Sequence, residues 1–309
     1  MRWRSGEARL AAKLETLPMS RAALVVVALT LLSAGAAQAR VEIKPQADGV
    51  AVLDEGRPVL FFRTRTADPA QPGRLAYIHP LQAPDGTILT EDQPADHPSQ
   101  RGLYWGWPQV LLNGQPVADS WNLKGMTWFV RATHFQGAID GSGVLSFDID
   151  WIVSSRPELI YVATETTRVT VRPLAHGAQR IEIDTVVTPK VDGLAVGGGE
   201  KGEGGLALRL ARPDRLVFHS GKAAVTATPG PLTAGPAMGF SWPAEAGSPA
   251  YAVGLACRAQ GQAVTQWILR HELSGQNCVF PGRTAYAISK DRPLHLQATL
   301  VIQPRSPAK

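Results

Sequence analysis

The sequence predicts an all-β protein, a large antiparallel β-sandwich. Apolar side chains occupy every second position from Leu145 to Val153, which is the period of a strand with one buried face. Turn pairs such as Asn113-Gly114 and Asp140-Gly141 recur along the chain. No long stretch carries a sustained 3.6-residue apolar period. Many strands separated by turns and irregular loops favour a sandwich.

Seven further segments have the alternation or the Val- and Thr-rich composition of strands. They are residues 128–133, 159–172, 181–187, 223–228, 250–259, 267–273 and 294–302. The 24 prolines and 30 glycines fit a chain that turns often. We find no internal repeat and no boundary inside the chain, so residues 40–309 are predicted to form a single domain.

Residues 1–39 have the layout of a signal peptide. Basic residues precede an apolar run from Ala22 to Leu32, and Ala37-Gln38-Ala39 fits the small-x-small cleavage rule. The apolar run is shorter than the ~20 residues that a spanning helix needs, although an uncleaved anchor is the alternative. Met19 offers a second start, with a shorter signal. We therefore expect a periplasmic or secreted bacterial protein.

The predicted cleavage removes most of the positive charge. The chain has 31 basic and 26 acidic residues, and residues 1–39 hold five and two of them, which leaves 26 against 24, a net charge of +2. No basic cluster remains, so neither nucleic acid nor a membrane surface is expected as a partner of the mature chain. Cys257 and Cys278 are either a disulfide, which an oxidising compartment permits, or two buried thiols.

The densest group of chemically useful side chains lies between Tyr77 and Trp107. It contains two histidines, four acids, an arginine and closely spaced tryptophans. Histidine transfers protons near neutral pH, arginine holds a hydroxyl or carboxylate in a fixed fork, and flat aromatic rings suit a sugar face. Each residue alone fits a turn or core role, whereas the whole set favours a site. Its candidate members are His79, Asp96, His97, Arg101 and Trp105.

A second candidate is the glycine-rich segment 197–205, in which Glu203 is the most useful carboxylate. It lacks the Gly-Lys-Ser/Thr ending of a phosphate loop and is either a linker or a place of close backbone approach to a ligand. His79, His97 and His134 show no metal-ligand spacing, so no metal or other cofactor is predicted. A serine hydrolase is disfavoured because no Gly-x-Ser-x-Gly occurs. A paired-carboxylate glycosidase stays open.

Several short motifs together resemble a bacterial family often labelled "PmoA family". They are Ile78-His79-Pro80, the Pro84-Asp85-Gly86 turn, Asp96-His97-Pro98, Arg101-Gly102 with Trp105 close behind, and 201–209. The label does not describe an activity: a methane monooxygenase subunit crosses the membrane several times, and this chain has one short apolar run. The resemblance implies a galactose-mutarotase-like supersandwich in a sugar-degradation context.

The resemblance also implies roles for individual residues. His79, His97 and Glu203 would be the proton-transfer groups, and Arg101 and Arg209 would position the substrate. The family pattern after Asp-His-Pro runs His-His-Arg-Gly, whereas this chain has Ser99-Gln100 there. We therefore expect either an enzyme acting on a carbohydrate, as epimerase, lyase or hydrolase, or a non-catalytic binder of a sugar or oligosaccharide.

Overall fold

Strands make up almost all of the regular structure. The computed structural model describes residues 40–66, 68–137, 140–155, 158–211, 216–242, 250–271 and 275–305. The predicted signal peptide lies outside the described residues. The strands are β1 (Val41–Pro45), β2 (Gly49–Asp54), β3 (Arg57–Arg63), β4 (Tyr77–Leu81), β5 (Leu103–Gly106), β6 (Gln109–Leu112), β7 (Gln115–Ala118), β8 (Met126–Gly137), β9 (Gly143–Ser155), β10 (Glu158–Pro173), β11 (Gln179–Pro189), β12 (Leu194–Gly197), β13 (Gly205–Arg209), β14 (Val217–Ser220), β15 (Ala223–Val225), β16 (Leu232–Thr233), β17 (Ala237–Ser241), β18 (Ala250–Ala259), β19 (Gln262–Ala263), β20 (Gln266–Ile268), β21 (Gly275–Val279), β22 (Tyr286–Ala287) and β23 (Leu294–Arg305).

Two large antiparallel sheets pack face to face, so the predicted β-sandwich is confirmed. One sheet has the order β1-β2-β3-β4-β5-β13-β21-β20-β16, and the other β15-β14-β17-β18-β23-β11-β10-β9-β8, with β19 paired to β18. A smaller sheet has the order β22-β12-β6-β7. A three-residue 3-10 turn at Ala175–Gly177 is the one helical element among the described residues.

The alternating strands supply the core between the two large sheets. In β9, Leu145, Phe147, Ile149 and Val153 are completely buried, as the period of two predicted. Phe147 stacks on Phe62 of β3 with ring centroids 3.8 Å apart, and this contact joins the two sheets across the core. Burial of these faces is the main source of stability.

Two predicted strands extend beyond the strands that the structure shows. The segment 223–228 is a strand only as far as Val225, and the segment from Trp267 is a strand only to Ile268. Cys257 and Cys278 form a disulfide between β18 and β21. This bond links the two large sheets to each other through strands that face across the core.

The nine-stranded sheet is covered on its outer face as well. Ile78, Leu103 and Leu208 belong to the main core, whereas Tyr77, Tyr104 and Ala207 form a separate buried cluster with Trp121 packed against it. Because neighbouring residues of a strand point to opposite faces, this second cluster lies on the face turned away from the other sheet. The polar groups described next lie at the edge of this covered face.

Candidate functional site

Three neighbouring strands bring His79 and Arg209 into one row. Ile78 of β4 pairs with Leu103 of β5, which pairs with Leu208 of β13. The next row therefore holds His79, Gly102 and Arg209, and the Arg209 backbone N–H donates to the Gly102 carbonyl at 2.7 Å. Gly102 has φ +45, and a Cβ there would lie 2.1 Å from the Ile78 carbonyl oxygen. Only glycine fits between the two functional side chains.

The segment after β4 folds back along this row. Thr90 pairs with Leu210, and Asp92 pairs with Arg101, each as an isolated bridge. The Thr90 hydroxyl oxygen accepts the Leu81 backbone N–H at 3.0 Å and lies 3.1 Å from His79 Nδ1. The fold thus places the acidic residues 91 and 92 beside the histidine and arginine row.

Arg209 is the centre of the resulting polar cluster and is completely buried. Its Nε and Nη2 donate to Glu91 Oε2 at 3.1 and 3.0 Å, and its Nη1 donates to Gln100 Oε1 at 2.9 Å. Its Nη2 and Nη1 also donate to the two carboxylate oxygens of Asp96, at 2.8 and 3.1 Å. A forked pair of this kind fixes both position and orientation of the carboxylate.

Asp96 in turn holds the imidazole of His97, 2.7 Å from Oδ2 to Nδ1. Burial acts to raise the pKa of Asp96, but hydrogen bonds from Arg209 and His97, and their charges, outweigh it and lower the pKa to about 2. The His97 side chain is 54% exposed. Because an ionised carboxylate can only accept, Nδ1 carries the proton donated to Asp96, and in the neutral imidazole Nε2 is then the acceptor that a general base requires.

His79 is half-buried, unlike His97. Burial lowers its pKa; Asp92 opposes this effect, Arg63 adds to it, and Glu91 also opposes it. The neutral form of this imidazole is therefore favoured near neutral pH. In that form, Nδ1 is hydrogen-bonded to the Thr90 hydroxyl, 3.1 Å away.

A second layer of charge lies beneath the cluster. Arg74 Nη1 donates to Asp92 Oδ1 at 2.6 Å, and the Tyr77 hydroxyl donates to Asp92 Oδ2 at 2.7 Å. Burial, followed by the charge of Asp92, raises the pKa of Tyr77. Arg101 is 1% exposed, with its guanidinium 3.9 Å from the Tyr104 ring centroid. Burial lowers the pKa of Arg101 to about 10, so the side chain remains charged at neutral pH.

A family model, DUF6807, matches residues 49–309, which contain the whole cluster. The chain belongs to DUF6807, a family of unknown function. No curated protein matches this sequence.

Two of the predicted site residues lie apart from the cluster in this DUF6807 protein. Trp105 pairs with Leu206 on the core side of β5 and stacks on Trp107, 6.5 Å between ring centroids. Glu203 lies two residues before β13, whereas Arg209 ends it, so the two residues lie at opposite ends of a strand that spans about 13 Å at ~3.3 Å per residue. The carboxylate of Glu203 packs against Gly199, where an added Cβ would lie 2.5 Å from Oε1. Its Oε2 is buried and has no hydrogen-bond partner among the described residues.

The structure therefore gathers His79, Asp96, His97 and Arg209, and buries Arg101 in the layer beneath them. It also adds residues that the sequence analysis did not name as site residues: Glu91 and Gln100, which bind Arg209, and Arg74, which binds Asp92. Arg74 follows Pro72-Gly73 and belongs to no recognisable motif, so its role could be found only from its contacts in the structure.

Among the described residues, no group of three or more His, Cys, Asp or Glu side chains is arranged to hold a metal ion. No helix in the described part of the chain is long and apolar enough to cross a membrane.

Proposed function

We propose that this protein is an exported bacterial enzyme that acts on a carbohydrate by proton transfer at the Asp96–His97 pair. The observation that carries the proposal is the chain of contacts from the buried Arg209 through Asp96 to an exposed imidazole. Burying the charge of Arg209 and fixing the imidazole of His97 both cost free energy of folding. A simple surface turn needs neither, so the arrangement indicates a functional site.

The chemistry follows from the order of the three groups. His97 Nε2 accepts a proton from a substrate hydroxyl or carbon acid, and Asp96 stabilises the imidazolium that forms. Because Arg209 keeps the pKa of Asp96 near 2, this carboxylate stays ionised and does not take the proton itself. The proton then returns from Nε2 to the product. His79, neutral and next to Glu91, is the second proton-transfer group.

The periplasmic or secreted location rests on the signal-like N-terminus. The carbohydrate substrate and the relation to galactose-mutarotase-like sandwiches rest on the motifs around His79 and His97. The two stacked antiparallel sheets are compatible with that relation. The separation of Glu203 from the cluster favours Glu91 as the carboxylate partner in catalysis.

The test is turnover of a panel of sugars, keto-sugars and sugar acids, followed by NMR in deuterated buffer, which reports both new products and exchanged C–H positions. We expect one class to be converted, with a loss of at least about 100-fold in His97→Gln, the usual scale for a general base. The matched control is His134→Gln, an exposed histidine 3.9 Å from a carboxylate on the other sheet. Equal turnover by His97→Gln and the parent protein would refute the role of His97.

One observation favours a non-catalytic sugar binder on the same surface. The resembled family carries histidine at the two positions that Ser99 and Gln100 occupy here. The Ser99 hydroxyl donates to Asn122 Oδ1 at 3.3 Å, and Gln100 Oε1 accepts a hydrogen bond from Arg209. A binder predicts saturable ligand binding with unchanged sugar spectra after long incubation. Product signals that vanish in His97→Gln would exclude this second function.

A further inference from the structure

A separate cleft lies beside the Asp96–His97 pair and has no role in the function proposed above. It has a volume of about 810 Å³ and is lined by residues 70–73, Pro98, Ser99, 122–127, Ser154 and Leu159. This volume is within the range of natural ligand sites. Pro98 follows His97 directly, so the loop that carries the pair also forms one wall of the cleft.

The lining has the composition of a site for a hydroxyl-rich anion. The polar side chains of the lining are Gln71, Ser99, Asn122 and Thr127, and each already has a partner within the protein. A hydroxyl oxygen can still accept a hydrogen bond and a side-chain amide has a second N–H to donate, so these groups can also bind ligand hydroxyls. Lys124 is the one charged side chain in the lining, and it has no ion-pair partner among the described residues.

The carboxylates close to the cleft already have partners. Asp119 accepts the Asn122 backbone N–H at 2.8 Å and its side-chain amide at 2.7 Å. Asp68 accepts the Gln71 side-chain amide at 3.0 Å. Neither acid forms an ion pair with Lys124 in the structure, so the ammonium group is available to a ligand.

A buried positive charge lies directly behind the cleft wall. Arg101 Nη1 donates to the Ser99 carbonyl at 3.2 Å, and its guanidinium lies 5.7 Å from the ring of Trp128, which borders Gly73. Within the described residues Arg101 forms no ion pair with a carboxylate, and its buried Nε has no hydrogen-bond partner. Asp92, its bridge partner, is the neighbouring negative charge but forms no ion pair with it, so the buried cation favours further negative charge in the adjoining cleft.

We propose that the cleft binds a sugar acid, with the carboxylate of the ligand on Lys124 and its hydroxyls on the amide and hydroxyl groups of the lining. The sugar part of this proposal rests on the proposed function, and the anionic part rests on the charges of the cleft alone. A uronic acid is the simplest ligand that satisfies both parts.

The experiment compares matched ligands on the full-length protein. D-galacturonate, its trimer, and the methyl esters of both are titrated by calorimetry, with acetate and inorganic phosphate as simple anions. We expect each acid to bind about two- to fivefold more tightly than its ester, the size of one exposed ion pair. Lys124→Gln should abolish this preference, and Lys290→Gln, an exposed lysine outside the cleft lining, should keep it.

The outcomes separate the two proposals. Equal binding of acid and ester would overturn the anionic cleft and leave a carbohydrate site intact. An acid preference that survives in Lys124→Gln would place the anion elsewhere and overturn the assignment of this cleft. Acetate or phosphate binding as tightly as the uronates would overturn the sugar acid as ligand. Tight, Lys124-dependent binding of a uronate that is never turned over would support the cleft and count against the enzyme.

Discussion

Glu165 offers a direct test of how the core tolerates a carboxyl group. It lies on the core side of β10, 7% exposed, where Trp151 Nε1 donates to Oε2 at 2.8 Å and the Thr167 hydroxyl donates to Oε1 at 2.6 Å. It forms no ion pair within the described part of the chain. Burial raises the pKa of Glu165 above its ordinary value of 4.5, and the hydrogen bonds from Thr167 and Trp151 only partly oppose this.

The raised pKa fixes the direction of the pH effect. The folded state holds the proton more tightly than the unfolded state, so this group stabilises the fold fully below about pH 4.5, and the stabilisation is lost as pH rises toward the folded pKa. The loss amounts to about 1.4 kcal/mol per pH unit across that window. A glutamine at this position does not titrate.

Glutamine also satisfies the same hydrogen bonds. Its carbonyl oxygen accepts from Trp151, and its amide donates to Thr167 Oγ1, which then donates to Thr185 Oγ1, 2.8 Å away. We therefore expect Glu165→Gln to match the parent protein in stability at about pH 4.5. Above that pH it should exceed the parent by an amount that grows at up to about 1.4 kcal/mol per pH unit and levels off once the pH passes the folded pKa of Glu165.

The assay is urea unfolding of both proteins from pH 4.5 to 8 in steps of half a unit, with the slope m checked for constancy. Glu158→Gln, an exposed glutamate at the start of the same strand, is the control and should show a flat difference. A pH-independent difference for Glu165→Gln, or a glutamine variant less stable than the parent at pH 7, would refute this account of the core.

Three other substitutions test the site and the frame around it. Arg209→Lys keeps the buried charge but loses the fork, so we expect a loss of about 1–3 kcal/mol in the free energy of unfolding; a change below about 0.5 kcal/mol would mean that the fork is not needed. Gly205→Ala should cost at least about 2 kcal/mol because φ is +103 and the added Cβ would lie 2.4 Å from a carbonyl oxygen, whereas Gly230→Ala, with open space around it, should cost less than about 0.5 kcal/mol; similar values for both would contradict the packing. Replacing Cys257 and Cys278 together by alanine should cost about 3 kcal/mol, as expected for a bond spanning 21 residues; alkylation of both thiols in the unreduced, unfolded protein would show that no bond exists.

The long strands of the ten-stranded sheet were predictable because their sequence signals are strong. β9, β11 and β23 alternate over much of their length, β10 is long and rich in Val and Thr, and each was identified from the sequence. The short strands β1 to β7 were not predicted as strands; β4 and β5 lie in the 77–107 segment, which was identified only as a candidate site. Segments of four to seven residues carry too few alternations to stand out from loops, and tertiary contacts decide their state.

The candidate site shows the same division. The sequence by itself determined the β-sandwich class and the concentration of chemically useful side chains in residues 77–107, because alternation and composition are local properties of the chain. The contact between Asp96 and His97 is known only from the structure. Only the tertiary structure decided that Arg209, more than a hundred residues away, holds Asp96, that Arg101 is buried, and that Glu203 stays at the far end of β13. The order of strands in a sheet fixes these distances, and no local pattern encodes that order, because pairing between distant strands depends on the burial of the whole core.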